Sequence, residues 1–286
     1  MIAVTLNAST SVAVDEYNIA AVVDPALTGT ATTGNALANS AIANDVFTNN
    51  TAAPLDVVYT ITPISAEDCE GDPFTVTVTI DPEPVVANQT ATVCSDDMIA
   101  VTLNASTSVA VDEYNIAAVV DPALTGTATT GNALANSAIA NDVFTNSTAA
   151  PLDVVYTITP ISAADCEGDS FTVTVTIDPE PVVDDQTATL CSDAAIGVML
   201  NSSTSVAVDE YNIAAVVDPA LTGTATTGNA LAASAITNDV FSNPTTGPLD
   251  VVYTIVPVSA AGCEGNPFTV TVTIDPMVMV LSLIHI

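Results

Sequence analysis

The chain has 286 residues, of which 33 are Asp or Glu and none Lys or Arg, so its formal charge is −33 with a single His. That balance excludes nucleic acid as a partner, because phosphate contacts need cationic side chains, and an acidic surface is repelled by anionic lipid as well. Apolar residues nevertheless make up 49% of the chain and β-branched types dominate its runs, so it is able to bury cores where a disordered acidic chain is not.

In chain order the first expected elements are strands over residues 2–6, 11–14 and 17–23, the last broken by Asp24-Pro25. The stretch 36–47 has apolar spacing that suits a short helix and Asn and Asp residues that suit strand plus turn; strand is preferred because its surroundings are β. Residues 56–63 and 74–81 are runs of β-formers with period-two alternation and read as the last two strands of a sandwich. In the second run Phe74, Val76, Val78 and Ile80 are expected to face a core and Thr75, Thr77 and Thr79 the solvent. No segment offers the long amphipathic helices of an α/β fold.

The same words return at a fixed interval. Tyr17, Tyr114 and Tyr211 stand 97 residues apart, and residues 1–97 differ from 98–194 at only seven positions, among them Asn88/Asp185 and Val93/Leu190. A unit of this length is the size of an independent sandwich domain, much longer than the roughly 20–45 residues of a solenoid turn. The expected division is 1–83, 84–180 and 181–277, with 278–286 as an artefactual tail. Met1 aligns with the internal Met98, so the protein is expected to extend upstream and its first repeat to be truncated. The closing apolar residues are too few to span a bilayer.

The run from Asn49 to Val86, repeated with small changes in the other copies, resembles the PKD-like immunoglobulin-fold repeats of large Bacteroidota surface proteins. Asn49, Thr51, Pro54, Tyr59, Pro63, Cys69, Gly71 and the closing Thr-Val-Thr-Val-Thr-Ile-Asp-Pro carry the resemblance. It implies an all-β chain of three tandem immunoglobulin-like (PKD-like) β-sandwich domains arranged end to end, exported by the type IX route and held outside the cell or on its surface. The partners it implies are neighbouring repeats of the same chain, with an extracellular glycan or a cell-surface partner as the further possibility.

Cysteines occupy two repeat positions: Cys69, Cys166 and Cys263 in a Cys-Glu-Gly loop, and Cys94 and Cys191 ahead of Ser-Asp. A domain that closes on itself pairs Cys94–Cys166 and Cys191–Cys263 and leaves Cys69 unpaired by truncation. The rival phase, Cys69–Cys94 and Cys166–Cys191, staples neighbouring units. Either implies an oxidising compartment. Calcium is the sharpest ligand expectation, with Asp81, Glu83, Asp178 and Glu180 in the Pro-containing linkers as its hard oxygen donors. Asn-x-Ser/Thr sequons at Asn7 and Asn49 are what an Asn- and Thr-rich chain produces by chance.

Catalysis has little to work with. The only His is His285, so Ser-His and Cys-His pairs are absent, and without Lys or Arg there is no phosphate loop and no Schiff base. Stiff Pro linkers between beads point instead to a non-catalytic stalk or spacer of an adhesin-type surface protein. The alternative is that the repeats themselves bind glycan or cell ligands through their loops, with or without calcium.

Overall fold

The computed structural model describes residues 1–7, 12–200 and 205–277. The first repeat holds β1 (Glu16–Val23), β2 (Leu27–Gly29), β3 (Gly34–Leu37), β4 (Phe47–Asn49), β5 (Leu55–Ile64) and β6 (Phe74–Ile80). The second adds a strand at its start: β7 (Gln89–Cys94), β8 (Val111–Val120), β9 (Leu124–Gly126), β10 (Gly131–Leu134), β11 (Phe144–Asn146), β12 (Leu152–Ser162) and β13 (Phe171–Asp178). The third repeats that set as β14 (Gln186–Cys191), β15 (Val208–Val217), β16 (Thr222–Gly223), β17 (Gly228–Leu231), β18 (Phe241–Ser242), β19 (Leu249–Ser259) and β20 (Phe268–Asp275). No helix occurs among the described residues, and the fold is all-β.

Each repeat sets a large sheet against a two-stranded one. The large sheets run β10-β8-β12-β13-β7 and β14-β20-β19-β15-β17, whereas the first repeat has only β3-β1-β5-β6. Alternation explains the core: Val154, Tyr156 and Ile158 on β12 are fully buried, while Asp153 just before them and Thr157 between the last two face water. Phe144 from the small sheet and Ile139 close the other side of the same cluster.

β7 pairs with β13, and β14 with β20, in parallel, although every other pairing between named strands is antiparallel. Parallel strands need a crossover of a dozen residues or more. Here the crossover is nearly the whole repeat: the chain enters along one edge of the sheet, builds the domain and leaves along the adjacent strand.

Three expectations change. Residues 2–6 form no strand, because their backbone bonds go to turns: Ile2 N–H donates to Asp45 O and Leu6 N–H to Asn39 O. Residues 12–14 are likewise outside any strand, and Ser11 falls outside the described residues. The stretch 36–47 is neither helix nor strand through its middle; successive turns close from Ala41 to Ala38, Ala43 to Ser40 and Asp45 to Ile42. Those turns aim the Asp45 carboxylate inward, where Tyr59 Oη donates to it at 2.6 Å and Thr32 N and Oγ1 at 2.8 and 2.5 Å. Asp142 with Tyr156 and Asp239 with Tyr253 repeat the arrangement.

Asn49 is also structural. Its Nδ2 donates to Ala53 O and Ile80 O, its Oδ1 accepts from Thr51, and the side chain is 6% exposed. Asn243 makes the same bonds although Pro244 follows it and destroys the sequon, so the Asn-x-Thr pattern belongs to a turn. The sequon at Asn7 runs into residues outside those described.

Candidate functional site

The residues singled out by sequence converge on the seams between repeats. The linker after β13 is pinned to the third repeat: Ser205 Oγ donates to Glu180 O at 2.8 Å and accepts from Val182 N at 3.0 Å. The linker after β6 is held alike by Ser108, which donates to Glu83 O at 2.8 Å and accepts from Val85 N at 3.1 Å. Asn88 Oδ1 then takes the Thr172 N–H, and Asp185 Oδ1 takes that of Thr269, so the Asn/Asp exchange between copies preserves an acceptor.

The glycines of the second and third Cys-Glu-Gly loops make room for this linker. A Cβ on Gly168 would stand 1.9 Å from Pro84 O, and one on Gly265 1.9 Å from Pro181 O. At Gly71 the nearest atom is Pro63 Cγ at 3.0 Å, a side chain able to yield. Gly168→Ala is therefore expected to destabilise by about 1–3 kcal/mol, as backbone overpacking does, while Gly71→Ala costs under about 1 kcal/mol. Urea melts of the two variants check this, and equal losses would contradict it.

The disulfide crosses a seam. Cys94 is bonded to Cys263 with Cα atoms 5.5 Å apart, and Cys69, Cys166 and Cys191 are free thiols. The expected pairs Cys94–Cys166 and Cys191–Cys263 are thus replaced, as is the rival phase. The reason is the parallel register. Cys94 lies beside Asp178, at the end of β13 far from the loop that holds Cys166, roughly 23 Å along the strand at about 3.3 Å per residue. From there it meets the Cys-Glu-Gly loop of the next repeat. Cys263 is 1% exposed, and Gly262 before it takes a φ of 83° where the other repeats hold Asp68 and Asp165 at 59°.

Acidic groups gather at the same seam. Burial first, then the charges of Asp96 and Asp97, push the Glu180 carboxyl above its ordinary 4.5. A raised folded value means stability that is present below the unfolded value and lost as pH rises through the folded one. Glu180→Gln should accordingly raise Tm at pH 7 and leave it unchanged at pH 3, most clearly in low salt. Thermal melts at the two pH values decide it; a Tm lowered at pH 7 would contradict the repulsion.

The residues offered for calcium do not assemble. Asp81 lines a cleft of about 210 Å³ with Pro54 and Ala163, and Glu83 a different one of about 320 Å³ with Asn49 and Asp169. Among the described residues no three His, Cys, Asp or Glu side chains form a group suited to a metal, the linker acids Asp178 and Glu180 included. What sequence reasoning missed is the use of β7 and β14. The parallel strand carries its cysteine to the seam, and the signal was the Thr-Ala-Thr alternation just before it.

No helix among the described residues is long and apolar enough to cross a membrane. The chain matches no curated protein. Among solved structures it is similar to mouse clustered PcdhgC3 EC1-3, at 10% identity over 91% of this chain and 89% of that one, TM-score 0.29. Others are chicken CNTN1 FN1-FN3, at 8% identity over 93% and 90% with TM-score 0.33, and Drosophila N-cadherin EC1-4, at 10% over 91% and 66% with TM-score 0.25. The PKD-like domain model matches residues 1–84, 91–181 and 188–278, which is most of the chain. With its repeated sandwich and its seam disulfide, the chain belongs to the PKD-like domain family.

Proposed function

We propose that this chain is a non-catalytic stalk or spacer in an extracellular, adhesin-type bacterial surface protein, its units being 1–83, 84–180 and 181–277. The observation that carries the reading is the Cys94–Cys263 bond. A bond that leaves one repeat and closes in the next does nothing for a single binding domain, but it fixes the angle between two beads. Disulfides persist in oxidising compartments, which agrees with display outside the cell. PKD-like repeats are generally non-catalytic, and pinned linkers with buried Pro82, Pro84, Pro179 and Pro181 are what a spacer requires.

Small-angle scattering tests the proposal. An elongated particle is expected, and reductant should broaden its distance distribution by freeing the second seam. A compact particle would sink the spacer. Calcium-clamped joints would respond to chelator, whereas disulfide-held joints respond to reductant. Retention of the isolated chain on a glycan array would replace the spacer with loop-mediated binding.

A further inference from the structure

We infer that one edge of each large sheet, formed by β3, β10 and β17, is closed to strand addition by a two-residue bulge, so that near-identical repeats, and copies of the chain lying side by side, do not join edge to edge. This goes beyond a spacer, because it decides which contacts between repeats the fold refuses.

Three observations, each made in all three repeats, meet on these strands. Among the described residues nothing pairs with their outer side. First, the register slips at the same place every time. Gly131 stands opposite Ile116 and Leu134 opposite Tyr114, so Asn132 and Ala133 together face the single Asn115. The runs 34–37 and 228–231 repeat the slip against Asn18 and Asn212. An extra residue of this kind bends a strand and turns its edge away from a second one.

Second, the bulge holds backbone conformations that a straight strand does not have. Ala36, Ala133 and Ala230 take φ values of 57°, 55° and 53°, and Gly34, Gly131 and Gly228 values of 148°, 147° and 145°. A left-handed alanine is strained and persists only where its surroundings fix it. The facing asparagine does so: Oδ1 of Asn18, Asn115 and Asn212 accepts the N–H of Ala36, Ala133 and Ala230 at 3.2, 3.1 and 3.1 Å. That donor is therefore not offered to an incoming strand.

Third, the edge needs a guard, and charge does not supply one. Its Gly-Asn-Ala-Leu sequence is uncharged, the chain has no Lys to place there, and Val22, Val119 and Val216 on the adjoining long strands are 71%, 73% and 72% exposed. Linked domains meet at roughly millimolar effective concentration. With only seven differences between the first two copies, each offers the other the same strands. Straight edges in such a chain are templates for misassembly.

The test uses the full chain with its free thiols alkylated, in about 0.5 M salt, which screens the charge of −33. The parent should sediment as a monomer. Deletion of Asn35, Asn132 and Asn229 takes the extra residue out of each edge, and this variant should sediment as dimers and larger species at the same concentration. Asn18→Thr, Asn115→Thr and Asn212→Thr together keep the chain length but remove the reach of the acceptor, and should associate in the same way. Ala36→Gly, Ala133→Gly and Ala230→Gly keep the bulge and relieve its strain, so that variant should stay monomeric and melt about 4–8 °C higher. A parent that associates, a folded deletion or threonine variant that remains monomeric, or a glycine variant that associates or melts lower would each overturn the inference.

Discussion

Cys94→Ser is expected to lower the stability of the second and third repeats by about 2–4 kcal/mol under oxidising conditions, and to separate their melting into two transitions. In the parent chain the bond spans 169 residues and ties the entering strand of one repeat to a loop of the next, so unfolding either repeat leaves the other as an anchor. Calorimetry with and without reductant reads this directly. The variant should behave like the reduced parent, and Cys166→Ser, at a free thiol, like the oxidised one. If Cys94→Ser and the parent melt alike in oxidising buffer, the seam bond contributes nothing. Mapping with an acid-specific protease should recover Cys94 and Cys263 in one non-reduced fragment.

Much of the fold was legible beforehand because the signals were local. The alternation in residues 56–63 and 74–81 foretold β5 and β6, and 17–23 foretold β1, since each is half-buried and its period-two pattern is set by one face alone. Residues 2–6 misled because the same alternation buries Ile2 and Leu6 against turns and leaves the backbone to bond irregularly. The cysteine pairing was hidden for a non-local reason: β7 follows the first repeat in sequence and serves the second in space, so the two cysteines of one repeat stand at opposite ends. Asp45 escaped notice because an Asp among Ala and Asn reads as a surface turn, and only its inward rotamer reveals an acceptor for a buried phenol.

Asp142→Ala should destabilise the second repeat by about 3 kcal/mol, because it strands the hydroxyl of a fully buried Tyr156 and frees the Thr129 donors at once. Tyr156→Phe, which removes one donor and leaves Thr129 in place, should cost about half as much. Denaturant unfolding separates the two, and a milder loss for Asp142→Ala than for Tyr156→Phe would refute the network. Burial, and then the bond and charge of the aspartate, push the phenols of Tyr59, Tyr156 and Tyr253 well above their ordinary 10.0. Raised folded values give stability that is complete below pH 10 and is lost as pH climbs through the folded value. Alkaline unfolding should therefore begin above pH 10 and move to higher pH in a variant with all three tyrosines replaced by Phe.

The side-by-side placement of β7 and β13 determines how a repeat resists being pulled. The polypeptide enters at Gln89 and departs at Asp178, so tension on the two ends drags these neighbouring strands lengthwise in opposite directions. Every rung between them is then loaded in shear at the same moment, where an antiparallel terminal pair would unzip rung by rung. Beyond Cys94 the sulfur bridge offers force a second route into the following repeat, so residues 179–185 need not bear the load by themselves.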